Sequence, residues 1–127
     1  MSFALLTTEM VEALHDAVLN PGELRGRAGD KSLDSALARV ENRLAYGMIA
    51  DVFDLAAAYA VAIAQGHCFN DGNKRTAHQA MDTCLDLNGI QLTYDTVTTG
   101  QIIIHAAQRK IEEPGLADWL RKRADHG

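Results

Sequence analysis

Between Gln65 and His78 the chain reads QGHCFNDGNKRTAH, and one His, one Asp, two Asn, a Gly, a Lys and an Arg fall between His67 and Arg75. Histidine is the side-chain type whose ordinary pKa lies near neutrality, as a general base for a hydroxyl requires, so His67 is the candidate base. Asp71 is a hard oxygen ligand suited to holding Mg²⁺ bridged to a nucleotide. Gly72 precedes a helix expected to start at Asn73. The first N–H groups of such a helix lack intrahelical partners and carry the positive end of its dipole. That makes an anion site, and glycine lets a phosphate approach it closely. Lys74 and Arg75 stand in the first turn, where cations oppose the dipole and a bound phosphate would remove the conflict. By the same logic, Lys74→Glu or Arg75→Glu is expected to leave the nucleotide-free protein unchanged or to stabilise it by about 0.3–1 kcal/mol. Asn70 and Asn73 can donate and accept around the same point. A base, a metal carboxylate and a phosphate cradle are the equipment for phosphoryl or nucleotidyl transfer. Phe69 is expected to anchor in the core, with Cys68 packed beside it.

The elements that must position these residues are helical almost throughout. Thr8 is expected to cap a first helix with Glu9 in its first turn, and Met10, Val11, Leu14 and Val18 form its apolar stripe. This stripe leaves His15 on the polar side. The helix ends at Asn20-Pro21-Gly22, and a Gly-rich loop, PGELRGRAGDK, follows. A loop that long can carry function, and its Arg25 and Arg27 could reach a substrate. Ser32 opens a second helix with Leu33, Leu37, Val40 and Leu44 buried, and Gly47 stops it. A third helix, roughly Asp51 to Gln65, is apolar on nearly every side, which marks a central helix surrounded by others. Gly66 ends it. The fourth runs from about Asn73 to Leu87 and closes at Asn88-Gly89. IQLTY alternates and reads as a short extended piece. A fifth helix is expected from roughly Thr98 to Lys110. The last begins at Pro114, a good first-turn residue, and carries Leu116, Trp119 and Leu120. The expected class is all-α around a buried third helix.

At 127 residues the chain fits a single domain, 1–127, able to bury a core without disulfides or a structural metal. The two cysteines, Cys68 and Cys84, make no framework, and MSFALLTTEM is no signal peptide, so a cytoplasmic location is expected. The net charge of −5 argues against sequence-independent nucleic-acid binding, which needs a broad basic surface. The basic C-terminal RKRADHG is expected only to complement a helix dipole. Two look-alikes fail. A P-loop has four residues between its glycines and leaves a strand, whereas five separate Gly66 from Gly72 and a helix precedes them. His15-Asp16 lacks the earlier, separate His of an HD-type phosphohydrolase.

HCFNDGNKRT resembles the signature of Fic-domain proteins, a His-x-Phe-x-Asp/Glu-Gly-Asn-Gly-Arg pattern between two helices of an all-α fold. It is closer to the death-on-curing (Doc) toxin branch, whose members carry Lys where most Fic proteins have the second Gly; Lys74 is that substitution. The resemblance spans essentially the whole chain, including the Gly-rich loop, LDSALARVENRLAYG and the Ala-rich helix before the motif. It implies His67 as the base, Asp71 as the Mg²⁺ carboxylate, and Gly72, Asn73, Lys74 and Arg75 as phosphate-binding positions. Most Fic enzymes transfer AMP from ATP to a protein hydroxyl, and Lys74 would crowd their anion hole. Doc toxins bind the nucleotide in reverse and pass its terminal phosphate to a threonine of elongation factor Tu, halting translation. A partner antitoxin whose disordered tail folds on binding silences them. The usual signature ends in a second Arg where this chain has His78, which fits the Doc branch; His78 itself is expected to be a bystander. The implied function is therefore the toxin of a type II toxin–antitoxin module. AMP transfer, or a non-catalytic binding module on the same fold, are the alternatives.

Overall fold

Every residue from Leu55 to Gln65 is buried, so the apolar, Ala-rich run of the sequence is enclosed on all sides by its neighbours. The computed structural model describes residues 2–26, 28 and 32–126. Six helices follow in order: α1 (Thr8–Val18), α2 (Leu33–Ala45), α3 (Val52–Gly66), α4 (Asn73–Leu87), α5 (Thr96–Ala107) and α6 (Glu113–His126). The third packs against α2, α4, α5 and α6, while α1 lies on α4 and α2. Its small alanines let surrounding helices approach closely. The large side chains Leu55 and Ile63 are fully buried among them, worth about 1.5–3 kcal/mol each. The fold is all-α; among the described residues there is no strand, and no helix is long and apolar enough to cross a membrane.

Local chemistry sets the helix starts. Ser32 caps α2 by accepting from the Ser35 N–H at 3.1 Å, as its position predicts. The cap of α1 is Thr7, not Thr8: Thr7 Oγ1 accepts from the Met10 N–H, and the Thr8 hydroxyl donates to Asp34. Two adjacent threonines are equivalent to a sequence reading, and only the partner on α2 separates them. The fifth helix likewise starts two residues early, because Asp95 accepts from the N–H groups of Val97 and Thr98, and it ends at Ala107 rather than Lys110. The last helix begins at Glu113, one residue before Pro114.

The segment 90–94 keeps its alternation: Ile90, Leu92 and Tyr94 turn towards the core while Gln91 and Thr93 face outward. No described strand lies beside it, so it stays irregular. The basic C-terminus does more than complement a dipole. Arg121 spans two helices to bind Asp51, which caps α3, and Asp54. Arg123 lies 4.2 Å from the Trp119 ring centroid.

Candidate active site

The end of α3 and the start of α4 hold a six-residue loop, 67–72, rigidly against the core. At one end His67 is the C-cap of α3 in the left-handed region, φ 49° and ψ 44°, with its side chain exposed. Phe69 is buried as expected, and its backbone is clamped by one side chain: Asn73 Oδ1 accepts from the Phe69 N–H at 3.0 Å and Nδ2 donates to its carbonyl at 2.9 Å. Asn73 therefore shapes the loop. One of its two amide N–H groups is engaged on the Phe69 carbonyl, and its backbone N–H stands at the open start of α4.

His15 is the largest departure from the sequence reading. Instead of the polar face of α1, it is 1% exposed, stacked on Phe69 with ring centroids 3.8 Å apart and planes 8° off parallel. Its Nε2 donates to the Asp71 carbonyl at 2.7 Å. A histidine scores as polar, but its flat ring can join a core when its N–H finds an acceptor. Its spacing four residues after Val11, between Leu14 and Val18, was the available signal.

The Gly-rich loop closes over the same turn. Asp71 Oδ2 accepts from the Leu24 N–H at 2.8 Å, the Asn70 N–H donates to the Gly26 carbonyl, and Ala28 donates to the Cys68 carbonyl. Asn70 is exposed and its Nδ2 donates to the Arg25 carbonyl. The Arg25 guanidinium points to Asp16 at 3.9 Å. Arg27 lies outside the described residues.

At the far end Gly72 caps α4 with φ 79°, and no side chain caps the helix start with a hydrogen bond. By contrast Thr7, Ser32, Asp51 and Asp95 each accept from an N–H at the start of α1, α2, α3 and α5. The first turn of α4 holds no acid either, so the positive end of its dipole is uncompensated by local sequence. Lys74 is exposed and makes no ion pair among the described residues. Arg75 differs: it donates to the Val18 carbonyl at 2.8 Å and binds Glu23 at 2.5 Å. That guanidinium, with the Asn20 N–H, holds the Glu23 carboxyl below the usual carboxylate range. Arg75 thus has a counter-ion within the protein, so the dipole conflict of the first turn is relieved there in part by Glu23. Nothing in the sequence could reveal a partner 52 residues away.

A cavity of about 340 Å³ opens here, with Lys74, Arg75 and His78 of α4 on one wall and Gly100, Ile103 and Ile104 of α5 on the other. His78, expected to be a bystander, lines it half-buried, with Nε2 3.5 Å from Asp82. Asp71 belongs to no cluster of three or more His, Cys, Asp or Glu among the described residues. One carboxylate suits Mg²⁺, which is usually held by one or two carboxylates together with substrate phosphates. Cys68 and Cys84 are buried free thiols, and burial pushes Cys84 up to about 12, so it is no nucleophile.

The family model described as "Fic/DOC family" matches residues 5–85. The chain is similar to "Protein kinase doc" of Escherichia phage P1, 37% identical over 118 residues that cover 92% of this chain and 93% of that protein. It is also similar to "Toxin Doc" of Mycolicibacterium smegmatis, 45% identical over 65 residues, 50% of this chain and 49% of that protein.

Proposed function

The chain belongs to the Fic/DOC family, and on that premise we propose that it is a Doc-type toxin, the effector of a type II toxin–antitoxin module. It transfers the terminal phosphate of ATP to a protein hydroxyl, a threonine of elongation factor Tu, and so stops translation in the cytoplasm. The observation that carries this reading is the start of α4, which has no side-chain hydrogen-bond cap and offers its N–H groups and Lys74 to an anion directly after the loop bearing His67 and Asp71.

The residues divide the work as follows. His67, exposed at the end of a core helix, takes the proton from the attacking hydroxyl. As the new bond from that oxygen to the terminal phosphorus forms, the bond from phosphorus to the bridging oxygen breaks and ADP leaves. Charge spreads onto the phosphoryl oxygens during this step, and the N–H groups behind Gly72 and the Lys74 ammonium stabilise it. Asp71 would hold Mg²⁺, which supplies further charge neutralisation at the phosphates. Asn70 and the Asn73 backbone border the same turn. Arg75 joins them once a phosphate competes with Glu23 for its guanidinium. An antitoxin whose disordered tail folds over this face is the partner that holds the activity in check.

The test pairs two labels. Incubated with Mg²⁺ and elongation factor Tu, γ-labelled ATP should label the factor and α-labelled ATP should not. The reverse result would replace phosphate transfer with AMP transfer. In cells, undiminished growth arrest by His67→Ala would remove His67 as the base and leave a non-catalytic binding module.

A further inference from the structure

Two residues of α1 are buried, Val11 and His15, and only His15 is polar. Its ring stacks on Phe69, and its Nε2 lies 2.7 Å from the Asp71 carbonyl oxygen. A carbonyl can only accept, so Nε2 carries the proton. Phenylalanine would serve the stack as well and would bring no buried N–H in need of a partner. The polar ring therefore contributes something beyond packing. What it holds is the peptide unit between Asp71 and Gly72. A trans peptide is planar, with its N–H opposed to its C=O. A carbonyl drawn to His15 thus sets the Gly72 N–H in the opposite direction, away from α1. Gly72 sits at φ 79°, and glycine takes either sign of φ, so this unit turns over at little cost unless something holds it. A Cβ at Gly72 would meet His15 Cδ2 at 3.6 Å and Leu19 Cδ2 at 3.5 Å, so α1 packs directly against the turn.

We propose that His15 is a positioning residue for the phosphate and Mg²⁺ site: its N–H locks the Asp71–Gly72 peptide in one of two orientations. Held so, the unit presents the Asp71 carboxylate and the start of α4 to the same phosphates. Released, it turns the Gly72 N–H towards α1 and moves the carboxylate with it. The Leu24 N–H, which donates to Asp71 Oδ2 at 2.8 Å, fixes that side chain but not the plane of the peptide. His15 itself touches no phosphate and acts through Asp71 and Gly72. This inference rests on the proposed anion site at the start of α4, and it adds the residue that sets the geometry of that site.

Two substitutions separate the ring from its N–H. His15→Phe keeps a flat ring and loses the donor, whereas His15→Gln loses the ring and keeps a terminal N–H. Binding of inorganic tripolyphosphate with Mg²⁺ is measured by titration calorimetry on the full chain. The Gly72 and Asn73 amides are followed by nuclear magnetic resonance without ligand. His15→Phe should lose at least tenfold in affinity and show a second set of signals for both amides. His15→Gln should keep most of the wild-type affinity and a single set, even where its urea midpoint falls. His15→Met, which also lacks the N–H, takes the place of His15→Phe if that protein does not fold. Wild-type affinity in the variant without the N–H, an equal loss in both variants, or a single unshifted Gly72 signal overturns the assignment. No binding by wild type removes the anion site, and with it both the proposed function and the role of His15. A protein that follows the expected pattern but moves no γ-label keeps that role and loses the kinase reading.

Discussion

His67 and Arg75 carry the sharpest consequences at the scale of single residues. A non-glycine residue at φ 49° pays for the left-handed conformation, about 1–2 kcal/mol for an ordinary side chain. His67→Gly should therefore unfold at higher urea than His67→Ala, by about 1 kcal/mol, while both lose transfer; equal stabilities would mean that the loop relaxes around the substitution. Arg75 and its neighbour should part company. Lys74→Glu puts an acid into an uncompensated first turn and should leave the nucleotide-free protein unchanged or more stable by about 0.3–1 kcal/mol. Arg75→Glu should lower the melting midpoint, since the new carboxylate would face Glu23 and strand the Val18 carbonyl. A gain for both variants would show that the Glu23 contact contributes nothing in solution.

Among the elements, the C-terminal end of α3 decides where the catalytic loop starts. Gln65 is buried two residues before His67, and three other helices or their ends converge on it. Its Nε2 donates to the Ala106 carbonyl at 3.0 Å, and its Oε1 accepts from Arg109 at 2.9 Å and Arg39 at 3.3 Å. The Arg39 guanidinium also binds the buried Glu113 of α6 at 3.0 Å. Removing the amide by Gln65→Ala strands several of these groups and should cost about 1–3 kcal/mol in urea unfolding. On α5 the sign reverses. Gly100→Ala adds helix propensity without a clash and should stabilise by about 0.5–1 kcal/mol in the same measurement.

For the whole molecule, the pH dependence of stability reports how α6 is tied to the central helix. Arg121 beside Asp51 holds that carboxyl below its ordinary range despite some burial. A depressed carboxylate contributes stability above its unfolded pKa, and that contribution is lost as pH falls through the folded value. The loss should therefore begin below about pH 4, the usual aspartate range. Arg121→Met should lower stability at neutral pH by about 1 kcal/mol, because the pair is a third or more exposed and screened. It should also flatten the acid limb of the melting profile, and an unaltered limb would assign acid unfolding to other carboxylates.

The sequence by itself determined the helical class, the burial of α3 and the order of the motif, because each rests on contacts within a few residues or on composition along one helix. A ten-residue apolar run, Leu55 to Ala64, can only be enclosed, and a glycine before a polar helix start supplies no side-chain cap of its own. It left unresolved whatever depended on distant partners. Thr7 and Thr8 are indistinguishable until Asp34 takes the second hydroxyl. His15 reads as polar until Phe69 and the Asp71 carbonyl meet it from 54 and 56 residues away. Arg75 reads as unpaired until Glu23 folds back onto it, and the cavity at Gly100 exists only because α5 passes α4. A side chain's type sets which interactions it can make; tertiary structure alone chooses among them, since burial removes water as the default partner and leaves whichever group the fold has brought within reach.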